Sequence, residues 1–253
     1  MGARHEGTSC GDKALLALTA AMFAFAAEAQ VVPQQGPITI NRCRTIDQPG
    51  SYRLATNLTA LGNCLVITAQ GVTIDLNGFT IVGNGTGTAI LGPRKAAGIP
   101  QARTVVRNGD ISNFAQATNL SGTVEHLRVI SNASGIVVGL GTVRDNIVQS
   151  NAATGIQLAD GIVSGNLLVA NGTGILVQEA GVLTNNQAAG NKIGIDVSGI
   201  GSTLIGNIAD GNSQIGIRVA CPSNLSNNTA IGNPSNLVRT GTGCRDGGNL
   251  FGP

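Results

Sequence analysis

Few side chains in this sequence could move a proton. Beyond residue 29 it carries one histidine, His126, one tyrosine, Tyr52, and no tryptophan. The charged residues near His126 recur at regular intervals. His126 stands six residues before Asn132, Asp145 six before Asn151, and Arg107 six before Asn113. If chain turns of that length stack, the three share one column with neighbours about 5 Å apart. Glu125 and Arg144 then face each other in the column alongside. A row of guanidinium, imidazole and carboxylate is a credible acid/base cluster, because a neighbouring carboxylate holds imidazole in one tautomer and raises its pKa. On a polyuronate, Arg107 would neutralise a carboxylate while His126 or Asp145 moved a proton. Opposite charges pairing across strands as a surface ladder would use the same residues.

A repeat is what would position them. Between about Thr142 and Asn233 one short phrase returns five times, opened by Val143, Val163, Leu183, Leu204 and Leu225. Three residues on come Asn146, Asn166, Asn186, Asn207 and Asn228, and five further on Asn151, Asn171, Asn191, Asn212 and Asn233. The steps are 20, 20, 21 and 21 residues in both columns. A fixed period of that size predicts a solenoid. The passes lack the Leu-x-x-Leu-x-Leu pattern of leucine-rich repeats. They offer instead short β-branched pieces such as Gly174-Ile175-Leu176-Val177, bounded by Asn and Gly, which read as strand and turn. The expected fold is all-β, a right-handed single-stranded parallel β-helix of about 8–9 coils, each closed by three short strands. Asn at one turn of every coil would form an amide ladder and tolerate the left-handed backbone of the turn.

Residues 1–29 read as a signal peptide. Arg4 and Lys13 precede an apolar run from Ala14 to Ala27, and Ala27-Glu28-Ala29 fits a small-x-small cleavage site before Gln30. That run is too short to span a bilayer, so no stable membrane insertion is expected after cleavage, and the protein is expected to be exported, periplasmic or secreted. Residues 30–253 are expected to form one domain, with a cap over about 30–50, coils over about 51–233 and a second cap over about 234–253. Without residues 1–29 the net charge is about +3, far from the basic footprint of a nucleic-acid binder. Cys43 and Cys64 lie 21 residues apart, Cys221 and Cys244 23 apart. Each separation is close to one coil, which predicts the disulfides Cys43–Cys64 and Cys221–Cys244.

The phrases Gly50-Ser51-Tyr52-Arg53-Leu54 and Val72-Thr73-Ile74-Asp75-Leu76-Asn77-Gly78-Phe79 resemble the N-terminal coils of right-handed parallel β-helix proteins of the pectin-lyase-like superfamily. The resemblance covers about residues 46–238 and implies a fold more than an activity. That superfamily holds lyases, hydrolases, epimerases, phage tailspikes, adhesins and non-enzymatic periplasmic proteins. The Asn-Thr-Asp, Asp-Asp, Gly-His-Gly and Arg-Ile-Lys segments of its polygalacturonases do not occur here. Nor does a close acidic pair of the kind glycosidases use.

Metal and cofactor sites are not expected. No C-x-x-C or paired His accompanies the cysteines, and Asp145, Asp160, Glu179, Asp196 and Asp210 are spread singly, unlike a calcium cage. After residue 29 the aromatic residues are Tyr52, Phe79, Phe114 and Phe251, a thin supply of sugar platforms. An insertion over residues 92–103 breaks the rhythm, and its Arg94, Lys95 and Arg103 are candidates for holding an acidic glycan. The sequence therefore reads as an exported, non-catalytic envelope or surface module binding an acidic polysaccharide or another envelope component. A polysaccharide lyase or epimerase using Arg107, His126 and Asp145 is the alternative. An adhesin whose coil stack extends through partners is the third reading.

Overall fold

The computed structural model describes residues 36–93 and 104–252. The expected signal peptide and the loop residues Arg94, Lys95 and Arg103 lie outside the described residues. The described residues form one compact unit. All its regular structure among the described residues is strand, and every strand pairing between coils is parallel. The strands stack as a β-solenoid of about ten turns, slightly more than the expected 8–9.

One turn shows the plan. Gly181–Thr184 lies on a first face, Gln187–Ala189 on a second and Ile193–Val197 on a third. These pair with Thr203–Ile205, Ile208–Asp210 and Ile215–Ala220 of the next turn. Alternation along each short strand sends one set of side chains inward. Val143, Val163, Leu183, Leu204 and Leu225 stack in register as one core column. Ile156, Ile175, Ile195 and Ile217 form another. All are buried, each contributing roughly 1.5–3 kcal/mol through burial. Close approach of the coils sets one further demand. Gly122, Gly141 and Gly161 stack where the chain enters the first face, and a Cβ on Gly141 would overlap the carbonyl oxygen of Gly122.

The two Asn columns are ladders. Asn146, Asn166, Asn186, Asn207, Asn228 and Asn249 run along the corner between the first and second faces. Asn132, Asn151, Asn171, Asn191, Asn212 and Asn233 run along the corner between the second and third. Each Nδ2 donates to the next Oδ1 at 2.9–3.2 Å. The backbone N–H of the same Asn donates to that oxygen as well. All but Asn249 are buried. The left-handed backbone expected of these asparagines belongs instead to the residue before each. Asp145, Gly165, Asn185, Gly206, Asn227 and Gly248 have φ of 54–65°, as do Ser131, Ser150, Ala170, Gly190, Gly211 and Gly232 beside the second ladder. The ladder Asn fills the interior because the preceding residue has turned the chain.

The coils extend past the expected bounds of 51–233. Ile38–Ile40 already pairs with Gly50–Leu54, and Arg44–Ile46 with Leu65–Ile67. At the other end Ser235–Thr240, Arg245–Gly247 and Leu250–Phe251 pair in register with the turn before them. Both disulfides form as expected, with Cα–Cα separations of 4.4 Å for Cys43–Cys64 and 4.9 Å for Cys221–Cys244. Loops of 21 and 23 residues imply about 3 kcal/mol of stabilisation each. Disulfides of this kind are characteristic of an oxidising compartment. No helix among the described residues is long and apolar enough to cross a membrane.

Candidate functional site

The charged residues gather where the first and second faces meet, on the N-terminal half of the stack. Strands Thr104–Ser112, Gln116–Ile130 and Ser134–Arg144 carry them. Asp75, Arg107, Glu125 and Arg144 are register partners on four successive coils, alternating negative and positive. Arg107 Nε lies 3.4 Å from Asp75 Oδ2, and Arg144 is ion-paired with Glu125. Glu125 is the buried member; Arg107 and Arg144 keep about two-fifths of their side chains exposed. The expected facing of Glu125 and Arg144 is therefore present.

Arg107, His126 and Asp145 do not share one column. His126 and Asp145 are neighbours, with Nε2 4.0 Å from Oδ2, but Arg107 sits one position earlier, opposite Glu125. The reason is an 18-residue coil. Ser112 pairs with Ile130, which puts Asn113 beside Ser131 at the left-handed position rather than beside Asn132. The ladder slot of that coil belongs to Phe114, whose backbone N–H donates to Asn132 Oδ1 at 3.0 Å. Counting from asparagines therefore displaced Arg107 by one residue.

His126 itself holds a turn. Its φ is 52°, and the column through it reads Asn108, His126, Asp145, Gly165, Asn185, Gly206 and Asn227. These are residues that reach the left-handed region most readily. Both His126 and Asp145 are about half exposed, and Arg144 Nη1 also lies 3.9 Å from Asp145 Oδ2. Asp75 is likewise engaged, accepting from the backbone N–H of Asn77 at 2.8 Å and from Asn108 Nδ2 at 3.2 Å. The arrangement is a lattice of opposite charges over a convex corner.

On the third face Asp196 pairs with Arg218. Arg218 Nε donates to Asp196 Oδ1 at 2.8 Å, and Nη2 reaches the other carboxylate oxygen. That hydrogen bond raises the guanidinium pKa above its ordinary value against the opposing effect of burial. Both residues stand two after a repeat glycine, in Gly194-Ile195-Asp196 and Gly216-Ile217-Arg218, so the pairing was available from the sequence. Arg218→Ala leaves the buried Asp196 carboxylate without its cation. Because Arg218 is itself about a third exposed, the expected loss is about 2 kcal/mol, less than for a fully buried pair. Urea denaturation of the single variant checks this, and an Asp196→Leu/Arg218→Leu double variant is expected to recover most of the loss.

Among the described residues no group of three or more His, Cys, Asp or Glu is placed to hold a metal ion. A surface cavity of about 640 Å³ lies instead at the corner between the second and third faces, with Asn84, Asn113, Ser131 and Ser150 among its walls. A second cavity of about 330 Å³ shares Asn113 and Ser131 with it and continues to Asp110 and Arg128. Arg107, His126 and Asp145 line neither. Sequence reasoning missed this groove, because its walls are ordinary turn residues. No family model, no curated protein and no solved structure matches the chain.

Proposed function

We propose that this protein is an exported, non-catalytic β-solenoid of the pectin-lyase-like kind, a rigid envelope or surface module that binds glycan. The observation that carries this reading is how its ionisable groups are used. The carboxylates and guanidiniums around His126 pair with one another along the stack, and His126 occupies a corner position that shapes the chain. The signal-like residues 1–29 and the two disulfides support export to the periplasm or beyond.

The second reading, a lyase or epimerase acting on a uronate polymer, draws on the 4.0 Å approach of His126 to Asp145 beside Arg144. Incubating the protein with pectate and alginate separates the two readings, following the absorbance of unsaturated product for a lyase and the change in uronate C5 configuration by proton NMR for an epimerase. The binding-module reading expects neither signal. Turnover that disappears in His126→Ala and persists in a surface control such as Asn185→Gly overturns it in favour of the lyase.

A further inference from the structure

The groove between the second and third faces owes its existence to unequal corners. From Val82 to Thr88 the chain uses five residues, 83–87, to pass between faces. The next coil uses three, 113–115, between Ser112 and Gln116. The longer corner lies against the one that follows, the Gly85 N–H donating to Asn113 O at 2.6 Å, and Gly83, Asn84 and Gly85 wall the groove on one side.

Along its floor runs a column with an uneven composition. The left-handed position on successive coils is Asn113, Ser131, Ser150, Ala170, Gly190, Gly211 and Gly232, with φ between 55° and 65°. Glycine adopts that backbone without strain, and the chain uses it on the last three coils. On the coils beneath the cavities it carries the polar residues Asn, Ser and Ser, and on the coil after them Ala170, all with a Cβ at positive φ. The polar residues at these corner positions face the cavity, where a ligand would meet them. Their side chains bond to none of the described residues, and all three are exposed. Asn84 faces the same cavity, with its carbonyl oxygen taken by Thr86.

We infer that this groove binds a neutral oligosaccharide lying along the solenoid axis; the inference rests on the glycan-binding reading and gives that reading a place. Amide and hydroxyl groups that donate and accept, repeated once per coil at about 4.8 Å, match the hydroxyls of a pyranose chain repeating at a similar interval. The charges beside the groove, Arg128 and Asp110 on the second face of the coils that carry Ser131 and Asn113, face each other at 3.9 Å. A neutral sugar satisfies both, whereas a uronate would compete with Asp110 for Arg128. The combined cavity is of the size that holds small ligands.

The test is calorimetric titration of the protein with cellohexaose, chitohexaose and hexagalacturonate, repeated on Asn113→Gly/Ser131→Gly/Ser150→Gly. Glycine suits the backbone at all three positions, so the triple variant is expected to keep or raise its melting temperature. The inference expects a neutral hexaose to bind and the triple variant to bind it at least tenfold more weakly. Equal binding by parent and triple variant overturns the groove and leaves the glycan-binding reading standing. Binding of hexagalacturonate alone overturns the neutral ligand. Binding of none of the three overturns both the groove and the glycan-binding reading.

Discussion

Asn186→Ala is expected to destabilise the protein by about 4 kcal/mol, while Asn185→Gly, one residue away, leaves stability unchanged or slightly higher. Asn186 is buried at the centre of a ladder. Its Nδ2 donates to Val163 O and to Asn207 Oδ1, both at 2.9 Å. Its Oδ1 accepts from the backbone N–H of Asn166 at 3.1 Å and from Asn166 Nδ2 at 2.9 Å. Alanine removes all four bonds in a space that water does not readily reach. Each buried group left unpaired costs about 1–3 kcal/mol. The buried Asn166 N–H loses its acceptor, while Asn166 Nδ2 keeps Val143 O and Ser164 O. The cavity left by the amide adds to the loss. Asn185 is exposed at φ 54°, where glycine relieves strain. For a chain of this size the loss at Asn186 corresponds to a fall of roughly 8–16 °C in melting temperature. Thermal unfolding of the two variants side by side measures the contrast, and equal effects would contradict the ladder account.

The second large effect concerns the C-terminal end of the stack. Every solenoid ends in a coil whose core and strand edges have no successor, and an apolar, unpaired edge recruits other chains. Here the last coil places charge in core columns. Asp246 takes the register position of Leu225, and Arg239 that of Val219. The two pair across the end, Arg239 Nη2 lying 2.7 Å from both carboxylate oxygens. Phe251 follows Ala230 in its column and packs against the core from below. Arg239→Val/Asp246→Leu continues the apolar columns to the open edge. The double variant is expected to form dimers and larger species at micromolar concentration, with the parent chain monomeric under the same conditions. Size-exclusion chromatography with light scattering reads the difference. A double variant that stays monomeric would show that the ion pair does not guard this end.

The sequence made the ladders legible because a buried Asn must meet another Asn one coil away, so residue type repeats where the bonds repeat. The same reasoning predicted both disulfides and the facing of Glu125 and Arg144. It failed where conformation, not residue type, defines the position. Asn113 looks like a ladder residue but sits at the left-handed corner, and Phe114 fills the slot; that single step moved Arg107 out of the column of His126. The end coil was opaque for a related reason. Its columns change from Leu225 and Val219 to Asp246 and Arg239, which breaks the apolar pattern without breaking the turn. The groove depends on the difference between a five-residue corner and the shorter corners that follow it, a comparison that needs the register first.

In-register stacking of successive coils underlies all of these points, and cysteine cross-linking tests it most directly. Ser164 and Thr184 are register partners on the outside of the first face, whereas Leu183 lies inside. Neighbouring strands bring register partners within disulfide range. Ser164→Cys/Thr184→Cys is expected to oxidise to an added disulfide, and Ser164→Cys/Leu183→Cys to add two free thiols to the parent's count, as measured by thiol titration of the unfolded protein without reductant. Cross-linking in the second pair and not the first would mean that the coils are offset by a residue and that the columns described above do not exist.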